Sequence, residues 1–459
     1  MKTKNSIHYH LIGIGGIGMS GIAQLLLSCG KTVSGSDLKE SKIVRDLKAL
    51  GAQIFLGHAA SNIQETDVVI YSSAVKEDNP EIIEAKKKGL PIIKRAQALA
   101  ELMREKTVIA VTGSHGKTTT TSLSALLLLE AGLSPTAAVG GILKNINSNA
   151  CLGEGKFFVA EADESDGSFL YYQPKYSIIT NIDREHLDYY KNFDNALLAY
   201  RQFLECGQPD GCVFACADDL HLQKIMKDYN NRHVFFGLSR NADIYPENIA
   251  VKGLSSEFDC FYRGKFVSRF SLSLGGRHNI SNALAVIALG MELKIDLKVM
   301  QKVLADYQGA KRRLEVKFKN DNYLLIDDYA HHPTEIKATL AAVQNLKYNR
   351  LIAVFQPHRY SRTQILADDF ARSFDFVDKL VLTEIYPAGE PALAGISSGL
   401  LCQKIKDYAP DKAVDCLKKE EIVRHILTEI KPGDLVITLG AGDITKINDE
   451  LAEALKGKC

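Results

Sequence analysis

Twice in the first third of the chain, a short β-rich run leads straight into a glycine-rich turn and then into a helical pattern. Residues 7–12 precede GIGGIG at 13–18, and residues 107–111 precede TGSHGKTTTT at 112–121. Junctions of this kind belong to parallel sheets, where each strand is followed by a crossover helix. The rhythm continues to the C-terminus and separates into three blocks. Strands at 7–12, 31–34, 53–56 and 67–71, with helices at 19–28 and 42–50, make a Rossmann-like first block. Strands at 107–111, 157–161 and 177–181 and a helix at 281–292 make the second. Strands at 323–327, 350–355, 379–384 and 434–439 make the third. The expected fold is α/β in three domains: a Rossmann-like N-terminal domain at 1–103, a central P-loop domain with a mostly parallel sheet at 104–310, and a Rossmann-like C-terminal domain at 311–459. The length, 459 residues, agrees with three domains at roughly 150 residues each.

Charge excludes some partners. Lys and Arg number 56 against 55 Asp and Glu, a formal net charge of +1, so no global basic field draws the chain to nucleic acid or to an anionic membrane. Any anionic partner must be bound locally. The nine cysteines include no C-x-x-C pair, which points away from a disulfide framework or zinc finger and towards a reducing, cytoplasmic setting. The first residues imitate a signal peptide, but the glycines from Gly13 to Gly18 interrupt the apolar helix such a peptide needs. No other apolar run is long enough to span a bilayer.

In the first loop, Gly13, Gly15, Gly16 and Gly18 allow the backbone to approach a pyrophosphate at the helix N-terminus, and Asp37 closes the next strand where it can take a ribose hydroxyl. A structural turn is the plainer reading. The loop suits a diphosphate without specifying nicotinamide, because a UDP-sugar carries the same group.

The second loop reads as a P-loop. Its backbone N–H groups would cradle phosphates, Lys117 would reach the β and γ groups, and Thr118 would offer a hydroxyl to Mg²⁺. It departs from the usual spacing, with Val111 where the first glycine is expected and Gly113 opening a shorter turn. After the buried run 157–161 come Glu161, Asp163, Glu164 and Asp166. Four carboxylates beside a triphosphate repel it unless a divalent cation lies between them, which implies Mg²⁺. Strand alternation would put Glu161 and Asp163 on one face. His186, after the next strand, stands where open α/β sheets bind ligands and could complete a metal shell.

Taken in order, GIGGIGMSG, TGSHGKTTTT, EADESDGSFL, NIDREHLDYY, GRHNISNALA, GAKRRLE, IDDYAHHPTEI, FQPHRYSRT, YPAGE and GAGDI resemble the Mur ligases over essentially the whole chain. Within that family the motifs are similar to those of the members that join L-alanine to the lactyl carboxylate of UDP-N-acetylmuramic acid, using ATP, in cytoplasmic peptidoglycan precursor synthesis. The resemblance implies that Gly15, Gly16, Ile17 and Gly18 hold the UDP diphosphate, with Asp37, His58 and Ser72 as further sugar-nucleotide contacts. It implies that Gly113, Ser114, His115, Gly116, Lys117, Thr118 and Thr119 serve ATP, that Thr118, Glu161 and His186 serve Mg²⁺, and that His278, Asn279 and Asn282 lie near the adenine. Arg313 would reach the γ-phosphate, Asp328 the ATP ribose, and Tyr329, His331, Arg359 and Arg362 the alanine and lactyl-carboxylate end. Several Mur ligases carry a carbamylated lysine about fifteen residues after the metal histidine; this neighbourhood offers Arg201, so no carbamate is expected. The expected partners are UDP-N-acetylmuramic acid and L-alanine, with no nucleic acid and no membrane, for a monomer or weak homodimer.

Plainer readings accompany these. His331-His332-Pro333 could be a turn whose histidines satisfy backbone groups, and Arg359 and Arg362 could be a solvated face. Two arginines after the apolar run 350–355 are nevertheless well placed to grip a carboxylate. Competing functions are a recycling ligase that attaches a whole peptide to the same sugar nucleotide, an NAD-dependent dehydrogenase, and a nucleotide-gated switch without chemistry.

Overall fold

The computed structural model describes residues 7–72 and 75–456. Three sheets carry the chain. The first contains β1 (His8–Ile12), β2 (Thr32–Asp37), β3 (Gln53–Leu56), β4 (Val68–Tyr71) and β5 (Ile92–Lys94), in the order β3-β2-β1-β4-β5. All its pairings are parallel. The chain leaves β1 at the centre, where the strand order reverses, and such a switch point opens a crevice at the strand's C-terminal end. Gly13 begins there.

The second sheet contains β6 (Thr107–Thr112), β7 (Thr136–Leu143), β8 (Ser148–Cys151), β9 (Phe157–Glu161), β10 (Tyr176–Ile179), β11 (Cys212–Cys216), β12 (His233–Phe236), β13 (Ile244–Lys252), β14 (Ser255–Tyr262) and β15 (Lys265–Leu272), in the order β15-β14-β13-β12-β11-β10-β6-β9-β7-β8. β6 lies between β10 and β9, parallel to both, so the loops leaving three adjacent strands meet at one end of the sheet. β6 and β9 are apolar along nearly their whole length and buried, as expected for strands covered on both faces.

The third sheet contains β16 (Glu315–Lys319), β17 (Tyr323–Asp328), β18 (Arg350–Phe355), β19 (Lys379–Leu382), β20 (Ala413–Cys416) and β21 (Asp434–Leu439), in the order β16-β17-β21-β18-β19-β20. Only β16 runs antiparallel to its neighbour. Along β18 the period of two is visible in the packing: Leu351, Ala353 and Phe355 join one core cluster, while Ile352 and Val354 join the cluster on the other face.

The chain forms two compact units, one running to Glu247 with Asp259–Phe270 and Ile280–Gln308, the other comprising Asn248–Phe258, Ser271–Asn279 and the chain from Gly309. Several element ends differ from the sequence expectation. The strand expected at 31–34 continues to Asp37, the strand expected at 177–181 stops at Ile179, and the helix expected at 281–292 begins at Arg277. β9 ends at Glu161, so strand alternation does not govern Asp163, which lies in the following loop. Among the described residues no helix is long and apolar enough to cross a membrane.

Candidate active site

The phosphate loop is clamped from beneath by the segment that follows β10. Ser114 N–H donates to Asn181 O at 3.0 Å, His115 N–H donates to Asn181 Oδ1 at 2.8 Å, and Ser114 Oγ accepts from Asp183 N–H at 2.8 Å. His115 Nε2 lies 2.9 Å from Asp183 Oδ2. Gly116 has φ of +84°, and a Cβ there would fall 2.6 Å from Asn282 Oδ1, so this turn needs glycine. The helix Lys117–Glu130 starts at once, with Thr118 and Thr119 buried in its first turn.

Lys117 Nζ donates to the backbone oxygens of Gly113 and Ser114 and to Glu164 Oε1, the last at 2.8 Å. Burial works against its charge, but Glu164 and Asp163 outweigh that cost and raise its pKa. It is a fixed cation. Thr118 Oγ1 donates to Glu161 Oε1 at 3.1 Å, and Gly140 N–H donates to Glu161 Oε2 at 2.8 Å. Burial raises the Glu161 pKa, with Lys117 opposing. For Asp163 the attraction of Lys117 and Arg95 overcomes burial and lowers it.

His186, at φ +57°, stands with Glu164 and Glu185 rather than with Glu161. Its Nε2 is 3.6 Å from Glu164 Oε1 and 3.6 Å from Glu185 Oε2, and one ligand atom from each of the three falls within 4.8 Å of the others. These carboxylates raise the His186 pKa despite its burial. Glu164 Oε2 is buried without a hydrogen-bond partner, an oxygen that a hard cation would satisfy. The donor set of Glu164, Glu185 and His186 fits a small divalent ion, while Thr118 and Glu161 pair with each other. The sequence reading placed Glu164 among the four acids that imply Mg²⁺ but gave no role to Glu185, although it adjoins His186.

The first glycine loop opens onto the same acids. A cleft of about 330 Å³ is lined by Gly16, Ile17, Gly18 and Ser72 on one side and by Gly140, Glu161 and Asp163 on another, with Arg95 between them. Asp37 supports the loop from behind, its Oδ2 accepting the Gly15 N–H at 2.9 Å. His58 Nδ1 lies 2.9 Å from Ser36 Oγ and 3.2 Å from Glu81 Oε2. Glu81, fully buried, also accepts from Ser36 and Asn62. Through Nδ1 this network ties His58 to β2, and its side chain stays 20% exposed.

In the second unit, Tyr329 is flanked by two guanidiniums, Arg312 at 5.0 Å and Arg313 at 5.2 Å from its ring centre. Arg313 Nη1 is 3.8 Å from Glu335. Asp328 is buried, its oxygens accepting from the N–H groups of Leu314 and Ala330 and from Thr339; burial, opposed by Arg313, raises its pKa to about 6. A ribose would compete with those bonds. His331 Nδ1 is 3.1 Å from Tyr329 O and 3.2 Å from Glu335, and its ring meets His358 edge-on at 5.6 Å. His332 caps the helix Pro333–Val343 by accepting from Thr334 N–H, which is the plainer reading of that pair. Arg359, at φ +70°, lies 3.7 Å from Glu390, and Arg362 Nη1 donates to His358 Nδ1 at 3.2 Å. Burial, His331 and the guanidiniums of Arg362 and Arg359 push the His358 pKa down to about 2, leaving a neutral ring among arginines. Asn279 Nδ2 donates to Gly275 O at 2.8 Å, and His278 opens the same helix. Arg201 is exposed on the helix Phe193–Glu205, whose next residue inward, Tyr200, is buried.

A parallel sheet with a phosphate loop at its centre, buried acids beside that loop, and a second glycine loop facing the same acids define an ATP-using ligase fold, and the chain belongs to the Mur ligase family. The family's catalytic domain matches residues 8–107, its middle domain 111–290, and its glutamate ligase domain 312–442. The chain is 46% identical over 449 residues to a UDP-N-acetylmuramate–L-alanine ligase of Desulfatibacillum aliphaticivorans, covering 98% of each. Its fold is similar to the solved UDP-N-acetylmuramate-alanine ligase of Thermotoga maritima, with a TM-score of 0.85 and 30% identity over 99% of this chain and 100% of that one. It is also similar to a murein peptide ligase of Psychrobacter arcticus, with a TM-score of 0.73 and 26% identity over 98% of both chains.

Proposed function

We propose that the protein joins L-alanine to the lactyl carboxylate of UDP-N-acetylmuramic acid, at the expense of ATP, in peptidoglycan precursor synthesis. The observation that carries this reading is the shared cleft: Gly16 and Gly18 of the diphosphate-type loop and Glu161 beside the ATP loop line one space. A dehydrogenase would use the first loop and leave Lys117 and its acids without a task. The likeness to an alanine-adding relative over nearly the full length favours a single amino acid over a peptide as the second substrate.

A carboxylate resists attack by an amine, so it must first gain a better leaving group. The lactyl carboxylate oxygen attacks the γ-phosphorus, an O–P bond forms, and the bridging bond to ADP breaks. Lys117, protonated and fixed at the loop, donates to the phosphoryl oxygens as negative charge moves towards ADP. The N–H groups in the first turn of the helix Lys117–Glu130 hold the β-phosphate. Thr118, Glu161 and His186, with Glu164 and Glu185 alongside, would hold Mg²⁺, which would supply neutralisation of phosphate charge. The neutral amine of L-alanine then attacks the acyl carbon, phosphate departs, and the nitrogen loses a proton to form the amide. Arg313 is assigned to the γ-phosphate, and Tyr329, His331, Arg359 and Arg362 to the carboxylates of the two acids, where fork-shaped guanidiniums match the anion. Arg201 offers no amine for carbamylation. We assign the activity to a cytoplasmic monomer or weak homodimer.

The test is ADP release with Mg-ATP, adding UDP-N-acetylmuramic acid and L-alanine separately and together, with the product weighed. Release that needs both, and a product heavier by one alanine residue, is the expected result. Reaction with a tripeptide but not with alanine would instead identify the recycling activity.

A further inference from the structure

The shared cleft contains one cation that none of the assignments above uses. Arg95 opens the helix Arg95–Met103 directly after β5, at the C-terminal end of an edge strand of the first sheet. Its guanidinium lies against the glycine loop: a Cβ on Gly18 would fall 2.7 Å from Arg95 Nη1 and 3.3 Å from its Cζ. Gly18 therefore makes room for this side chain as well as for a ligand. The guanidinium lines the cleft with Gly16, Ser72 and Asp163, and its side chain is only 24% exposed. Its ion partner is Asp163 at 3.6 Å, longer than a hydrogen bond. Among the described residues no side chain or carbonyl accepts a hydrogen bond from it. Five fixed donors in a half-closed cleft, beside a loop built for phosphate, call for an anionic acceptor from outside the chain.

We propose that Arg95 is a substrate-binding residue that grips the diphosphate of the uridine nucleotide alongside the N–H groups of the Gly16–Gly18 turn. The diphosphate is favoured over the lactyl carboxylate because the guanidinium packs on Gly18 itself. The inference rests on the reading of the first domain as a UDP-sugar site.

Titration calorimetry on the full chain tests it, with UDP, UDP-N-acetylglucosamine, UDP-N-acetylmuramic acid and ATP as ligands for the wild type, Arg95→Gln and Arg95→Lys. The glutamine variant is expected to bind all three uridine nucleotides about tenfold or more weakly and by similar factors, with ATP affinity unchanged. Lysine, which keeps the charge but loses the fork, should fall between. Unchanged UDP affinity in Arg95→Gln overturns the proposal, as does a loss confined to UDP-N-acetylmuramic acid, which would move the contact to the lactyl group. An equal loss for ATP would reduce Arg95 to a structural ion pair with Asp163. A wild type that binds ATP but neither UDP nor either UDP-sugar would overturn the function reading itself.

Discussion

The Lys117 ammonium and the Glu164 carboxylate stand 2.8 Å apart, with side chains 15% and 3% exposed. Removing one charge strands the other, so Lys117→Ala carries two separable effects. Loss of a phosphoryl contact should lower ADP release by about 10²–10³. The stranded Glu164 should cost about 3 kcal/mol of stability, read as a lower melting temperature. Adding Glu164→Gln should restore the melting temperature and not the turnover; normal ADP release by the single variant would remove Lys117 from its role. The neutral His358 gives a pH prediction. Its pKa falls from 6.5 in the open chain to about 2 in the fold. As pH drops below 6.5 the unfolded chain takes a proton that the folded one refuses, so stability present above 6.5 is lost progressively towards acid, by at most about 1.4 kcal/mol per pH unit. Melting curves between pH 7.5 and 5 should show a steeper decline for wild type than for His358→Gln; parallel curves would contradict it. At this scale the sequence exposed Lys117, Thr118 and Glu161, because their motif fixes them to a strand end. Arg95 and His358 escaped because their importance comes from neighbours distant in sequence.

At the scale of elements, one side chain joins two of them. Asp219 caps the helix Leu220–Met226 by accepting from Leu222 N–H at 2.7 Å, and its other oxygen accepts from Ile182 N–H at 2.8 Å. Ile182 adjoins Asn181 and Asp183, the residues that hold Ser114 and His115. Asp219→Ala should therefore cost about 1–2 kcal/mol as a lost cap and also loosen the phosphate loop, raising the KM for ATP. A KM that stays put while the melting temperature falls would separate the two. The strands beside the glycine loops were legible because β-branched runs stop at a turn with a mechanism. β5, β7, β8, β11–β16 and β20 were not read. In β7 Gly140 and Gly141 interrupt the run and the register to β8 shifts after Ala138; β14 alternates but lacks the continuous apolar signal of β6, and β11 is apolar and buried but only five residues long.

At the scale of the molecule, three sheets follow the three blocks of the sequence, since each block carries its own strand and helix rhythm. What a linear reading could not show is that the second unit draws in Asn248–Phe258 and Ser271–Asn279. Leu254, from the first of these, packs against the core that holds Leu340, Val343 and Phe355. Leu254→Ala should lower the stability of that unit by about 1–2 kcal/mol, less than a fully buried leucine would, which a thermal melt can read. No change would mean that the segment merely lies on the surface.

The eight described cysteines are all free, and only Cys29 and Cys416 are exposed. Burial pushes the thiols of Cys151, Cys206 and Cys402 above the ordinary range and those of Cys212 and Cys216 to about 11, which keeps them from forming the reactive thiolate. Cys29 falls in one compact unit and Cys416 in the other. With Cys459 replaced by serine, the natural chain thus offers a donor and an acceptor dye one attachment point each, and the distance between its two halves can be followed through a catalytic cycle without engineering a new one.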